Sequence, residues 1–178
     1  DFESNEGKHV YRHFINISST GSSAKIATIA NNSPKFLGSL SFLQASVQGI
    51  LTDSTRDIKI KIDDGEWREV PKVSSLAVCN GQFFGGGMKV CPSAVLNDGK
   101  LHCTMWKDFT IPDWIMNLNS VYTGDHVKFH KTESFECKKI EVEAVSKDRA
   151  CLIEIDGETP GKLPGTFRIL PSALTLIC

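Results

Sequence analysis

Apolar positions change period several times along this chain, and each change marks an element. Residues 9–19 alternate in part and predict a strand. Thr20-Gly21-Ser22-Ser23 signals a turn, with Ser22 or Ser23 placed to cap a short helix over 24–30. From 35 to 51, Phe36, Leu40, Leu43, Val47 and Ile50 recur at spacings of three and four, which predicts an amphipathic helix opening after Pro34. Beyond Thr52 the period falls to two. Ile58, Ile60 and Ile62 alternate with Lys59 and Lys61, Asp63-Asp64-Gly65-Glu66 predicts a hairpin turn, and 67–70 the returning strand. Short apolar runs at 75–79, 88–91 and 101–106 predict further strands, the first buried on both faces. A second helix is predicted over 111–122, with Pro112 at its start and Gly124 past its end. The tail is strand-rich, at 126–130, 134–145, 150–155, 166–170 and 174–177, with turns at 146–149 and at Pro160-Gly161.

This succession predicts a mainly β fold: one domain over 1–178, a two-layer antiparallel β-sandwich with two or three helical insertions. Strands do not alternate regularly with helices, so a doubly wound nucleotide-binding fold is disfavoured.

Composition narrows the function classes. The chain has 178 residues and is 40% hydrophobic, enough for a core without staples. Lys and Arg number 20 against 21 Asp and Glu, a net charge of -1, which is not the footprint of a nucleic-acid binder. No apolar run approaches the ~18 residues that cross a bilayer. Asp1 to Lys8 carries no apolar signal-peptide core, and a cytoplasmic location is expected. The six cysteines, at 79, 91, 103, 137, 151 and 178, form no C-x-x-C pair and sit among apolar neighbours. They read as free, buried thiols of a reduced compartment.

Three clusters could carry chemistry. Gly85-Gly86-Gly87 lies between predicted strands, where glycine permits positive φ or close approach of a ligand; it is also a plain tight bend. Asn97-Asp98-Gly99 is turn chemistry, and its single carboxylate beside loop carbonyls is also the kind of donor a Mg²⁺ ion takes. Ile155-Asp156-Gly157-Glu158 sets two carboxylates at a strand end, able to receive a hydroxyl proton or simply to build a hairpin turn. His126 and His130 share a face of a predicted strand but have no third ligand in view. Gly-x-Ser-x-Gly is absent.

In order and spacing, six segments together resemble one family. They are Phe14-Ile15-Asn16-Ile17-Ser18-Ser19-Thr20-Gly21; Leu37-Gly38-Ser39-Leu40-Ser41-Phe42; Val78-Cys79-Asn80-Gly81-Gln82-Phe83-Phe84-Gly85-Gly86-Gly87-Met88; Cys91-Pro92-Ser93-Ala94 with Asn97-Asp98-Gly99-Lys100-Leu101; Ile155-Asp156-Gly157-Glu158; and Ile169-Leu170-Pro171-Ser172-Ala173-Leu174. The family is the diacylglycerol kinase, sphingosine kinase and ceramide kinase superfamily, especially its bacterial-type lipid kinases. Its nucleotide loop, Gly-Gly-Asp-Gly-Thr, does not occur here. The chain therefore resembles the C-terminal β-sandwich domain, without the N-terminal nucleotide-binding domain. The resemblance implies ATP-dependent phosphorylation of a lipid hydroxyl with Mg²⁺, a lipid alcohol as partner, and peripheral membrane contact. It implies Asp156 as general base, Glu158 as the neighbouring acid that supports the metal–nucleotide end, and Asp98 as a metal ligand. Sphingosine kinases carry an acidic residue just after the segment matching Thr20-Gly21. Lys25 stands nearest that position here, which favours a neutral alcohol such as diacylglycerol over a sphingoid base.

Overall fold

The computed structural model describes residues 1–32, 49, 55–146, 148 and 150–175. It is mainly β, with 44% strand and 19% helix. The strands are β1 (Phe2–Ser4), β2 (His9–Val10), β3 (Ile17–Gly21), β4 (Arg56–Ile62), β5 (Arg68–Cys79), β6 (Phe83–Phe84), β7 (Met88–Lys89), β8 (Leu101–Lys107), β9 (Thr132–Cys137), β10 (Lys139–Ala144), β11 (Leu152–Ile155) and β12 (Glu158–Arg168). Two helices, α1 (Ser22–Asn32) and α2 (Ile111–Thr123), and a 3₁₀ turn at Asp125–Lys128 complete the described elements.

Every pairing is antiparallel, and six strands close on themselves in the order β10, β4, β5, β3, β11, β12 and back to β10. β8 and β9 extend this flattened barrel from β5, and β1 and β2 extend it from β12. β6 and β7 form a separate hairpin.

The alternation in β4 and β10 explains the closure. Ile58 and Ile60 from one strand and Ile140 and Val142 from the other face one core with Leu76, Val78, Ile153 and Phe167, while the intervening lysines and glutamates face out. β5 is buried on both faces over its second half, 73–79, as the apolar run at 75–79 predicts. Leu76 and Val78 enter that core, whereas Ala77 and Cys79 enter a second one with Ile17, Val90, Trp106 and Phe109.

α2 lies against this second core. Thr110 and Asp113 form a reciprocal capping box at its start, and Gly124 closes it at φ 87°. Asp113 also accepts from Lys131 Nζ at 2.6 Å. The Lys131 hydrogen bond first, then those from Thr110, hold its carboxyl down to about 2.

The structure departs from expectation in several places. The strand predicted over 134–145 is two, β9 and β10, which pair with different neighbours, and the predicted strands 67–70 and 75–79 are one, β5. Residues 9–19 are not one strand: β2 and β3 flank an irregular segment, 11–16. His126 to Lys128 belong to the 3₁₀ turn, because His126 is drawn inward to stack on Trp106 and bond the Val90 carbonyl. Pro160-Gly161 lies inside β12 rather than in a turn. There β1 crosses so close that a Cβ on Gly161 would collide with the Glu3 carbonyl and the Phe2 ring. Leu174 and Thr175 are not strand, and the predicted helix over 35–51, Gly49 apart, lies outside the described residues.

Replacing Ile60, fully buried at the barrel seam, by Ala should lower unfolding free energy by about 2–5 kcal/mol in a denaturant titration. Asp113 contributes stability that is complete above its unfolded pKa, near ~3.9, and is lost as pH falls towards about 2. Acid unfolding of Asp113→Asn should lack that component.

Candidate functional site

The turn between β11 and β12 carries both carboxylates named from sequence, both exposed, and it gives them different partners. Asp156 sits at φ 45°, a strained conformation for a non-glycine residue. Its carboxylate accepts three consecutive backbone N–H groups, Ile15 to Oδ2 at 2.8 Å, and Asn16 and Ile17 to Oδ1 at 3.1 and 3.0 Å. Its own N–H donates to the Ile17 carbonyl at 3.0 Å. Asp156 therefore shapes segment 14–17 as it enters β3. Asn16 passes the constraint on: its carbonyl accepts from the Asn80 and Gly81 N–H groups, and its side chain donates to the Phe83 carbonyl. The turn of β11–β12 thus adjoins the base of the β6–β7 hairpin.

Glu158 is exposed. Its Oε2 pairs with Arg12 Nη1 at 2.7 Å, and no other partner is resolved among the described residues. Of the two, it is the carboxylate with oxygen lone pairs open to an incoming group.

Residues to which sequence reasoning gave no role complete the turn. Glu154 is buried and accepts from the Ser19 hydroxyl at 2.7 Å and from the Gly157 N–H. Burial pushes its carboxyl above the ordinary range, against the pull of those hydrogen bonds. Ser18 and Thr20 hydroxyls donate to the Glu154 and Leu152 carbonyls. The sequence signal was present: three successive hydroxyl residues where the predicted strand 9–19 runs into its turn, and a lone glutamate between two isoleucines. Arg12 carried no comparable signal.

A cavity of about 350 Å³ opens beside this turn, lined by Gly21, Lys25, Thr28, Ile29, Arg56, Ala150 and Leu152. α1 joins the two features. Thr28 lines the cavity and donates to the Thr159 hydroxyl at 3.3 Å, and Asn31 donates to the Gly157 carbonyl at 2.6 Å. The cavity wall is largely apolar, with two basic side chains among its lining residues.

Asp98 lies in a different place, in the loop between β7 and β8. Its Oδ1 accepts the Lys100 N–H at 2.9 Å and its Oδ2 meets His102 Nε2 at 2.8 Å. Partial burial works to raise this carboxyl; the hydrogen bonds and nearby charges of His102 and Lys100 outweigh it and hold it below the ordinary range. These residues do not fit Mg²⁺. Asp98 is the one acid of segment 92–101, and both its oxygens already accept hydrogen bonds. Among the described residues no group of three His, Cys, Asp or Glu could hold a metal ion.

Gly85, Gly86 and Gly87 all have positive φ, at 51°, 79° and 96°, and turn the chain between β6 and β7. A Cβ on Gly86 or Gly87 would touch nothing within 4 Å, so conformation alone explains those two. The expectation of free cysteines holds for buried Cys103 and Cys137 and fails for Cys79 and Cys91, which are joined by a disulfide; Cys178 lies outside the described residues. The excursion through β6 and β7 returns Cys91 alongside the end of β5, a proximity that sequence spacing does not reveal. No helix among the described residues is long and apolar enough to cross a membrane.

The comparison with known proteins settles the family. Residues 16–178 match the family model described as the YegS C-terminal NAD kinase β-sandwich-like domain. The chain belongs to that family. It is the C-terminal domain type of the diacylglycerol kinase and YegS-like lipid kinases. A diacylglycerol kinase of Staphylococcus saprophyticus is 26% identical over 164 residues, 90% of this chain and 52% of that protein. A diacylglycerol kinase of Mycobacterium tuberculosis is 26% identical over 98 residues, 55% of this chain and 30% of that protein. The crystal structure of a diacylglycerol kinase from Bacillus anthracis shares the fold, with a TM-score of 0.58 and 21% identity, over 90% of this chain and 50% of that one. The chain thus spans at most about half the length of these relatives.

The two carboxylates of the β11–β12 turn should separate by substitution. Asp156→Ala should cost about 2 kcal/mol or more in a denaturant titration and speed hydrogen exchange at the Ile15, Asn16 and Ile17 amides. Glu158→Ala, breaking an exposed ion pair, should cost less than about 1 kcal/mol and leave those amides unchanged.

Proposed function

We propose that this chain forms the acceptor-side wall of an ATP-dependent lipid kinase, and that the alcohol it presents is a neutral lipid hydroxyl, diacylglycerol first. The observation that carries this reading is the pairing of an exposed Glu158 with a largely apolar cavity one helix away, within a chain of lipid kinase family. Lys25, nearest the position where sphingosine kinases carry an acidic residue, lines that cavity, which supports a neutral alcohol over a sphingoid base.

In this reading Glu158 orients the lipid hydroxyl and accepts its proton, with Arg12 fixing the carboxylate. Asp156, first expected as the base, is a positioning residue whose carboxylate holds segment 14–17 against the turn. Apolar wall residues such as Ile29 and Leu152 receive acyl chain, and Glu154 stays shielded beneath the turn. ATP supplies the phosphoryl group, and Mg²⁺ supplies charge neutralisation at its phosphates. Both are assigned to the portion that the relatives possess beyond this chain. The lipid substrate entails peripheral, reversible membrane contact.

The test is phosphate transfer from ATP by the full-length protein, with diacylglycerol, sphingosine or ceramide in vesicles, and with soluble glycerol. Transfer should favour diacylglycerol. Glu158→Gln should reduce kcat by about 10²- to 10⁴-fold with an unchanged melting temperature. Near-normal kcat in that variant removes Glu158 as the base. Vesicle binding without transfer to any alcohol would instead mark a non-catalytic lipid-binding domain.

A further inference from the structure

The loop from Pro92 to His102 contains an internal relay of side chains. A carboxylate only accepts, so the 2.8 Å contact between His102 Nε2 and Asp98 Oδ2 requires a proton on Nε2. The other ring nitrogen, Nδ1, lies 3.2 Å from the Ser93 hydroxyl. Ser93 at the loop's start, Asp98 at its tip and His102 at its end are thereby tied through one imidazole. The ring is 2% exposed and belongs to β8, between Cys79 of β5 and Glu136 of β9, so it cannot swing away without disturbing the sheet. The other oxygen of Asp98 is taken by the Lys100 N–H, and the Lys100 ammonium is directed to Glu136.

A divalent ion at this loop would need Asp98 as its anionic ligand. The imidazole N–H already occupies that approach, in line with one carboxylate oxygen and anchored from behind by Ser93. We propose that His102 takes the place of a divalent cation at Asp98, so that the Pro92–His102 loop is held by hydrogen bonding and needs no metal. A hydrogen-bonded closure of this kind differs from a metal clasp in one practical respect: chelators leave it intact. The inference concerns the loop alone and does not depend on which alcohol, if any, the protein phosphorylates.

Hydrogen exchange at the Asp98 and Lys100 amides, measured in EDTA and in millimolar Mg²⁺ or Mn²⁺, tests it. In the wild-type protein the protection should be equal in both, and Mn²⁺ should cause no paramagnetic broadening of loop signals. His102→Ala should lose about tenfold of that protection, whatever the metal. His102→Asp places a second carboxylate beside the first, and its protection should become metal-dependent. Wild-type loop protection that collapses in EDTA, or Mn²⁺ broadening of the loop that Asp98→Asn abolishes, would overturn the proposal. The wild-type arms decide the matter even if both His102 variants fail to fold.

Discussion

Three successive amides converging on one carboxylate decide how the start of β3 meets the turn after β11. Asp156 and segment 15–17 are some 140 residues apart in sequence, and hydrogen bonds to an ionised oxygen are roughly twice as strong as neutral ones. That contact sets where β3 begins. It fixes the carbonyl of Asn16, which in turn captures the chain leaving β5, and it holds the turn open so that Glu158 faces outward. The strained φ of Asp156 is tolerated because its side chain and its N–H are both committed.

Beneath the turn, polarity is buried deliberately. Ser18, Ser19, Thr20 and Glu154 would be costly inside a barrel if left without partners, yet each hydroxyl finds a carbonyl or carboxylate across the β3–β11 seam. A network of that kind is stiff: shifting β3 by one residue would break its present hydroxyl pairings and move Ile17 out of the second core. The rigidity of this part of the barrel therefore comes from its seam as well as from apolar packing.

The barrel strands were legible wherever one face is wet and the other dry, as in Ile58-Lys59-Ile60-Lys61-Ile62, and α2 was legible from Pro112 and Gly124 at its ends. Pattern failed where distant chain decides the conformation. Pro160-Gly161 has turn chemistry, but β1 needs a residue without Cβ at that crossing and recruits the dipeptide into a strand. His126 alternates like a strand residue, but the Trp106 ring and the Val90 carbonyl draw it inward. At the site, the resemblance cast Asp156 as the base and Glu158 as its neighbour, and only the fold reveals which of their oxygens are already taken. For Asp98 it named the carboxylate and missed His102, because a histidine four residues on in a strand announces nothing until the loop folds back.

Closure of the barrel through β10 and β12 has a consequence for the molecule's behaviour in company. An open sheet leaves long rims of unpaired amides on which another chain can grow. Among the described strands of the large sheet only β2 and β9 remain at rims, and the β6–β7 hairpin beside it has strands of two residues each. β2 is two residues long, and β9 places Glu133 between Arg68 and Lys107 and Glu136 against Lys100. Short length and dense charge both discourage strand addition. Partners are thereby directed away from backbone templating and towards the exposed turns and helices.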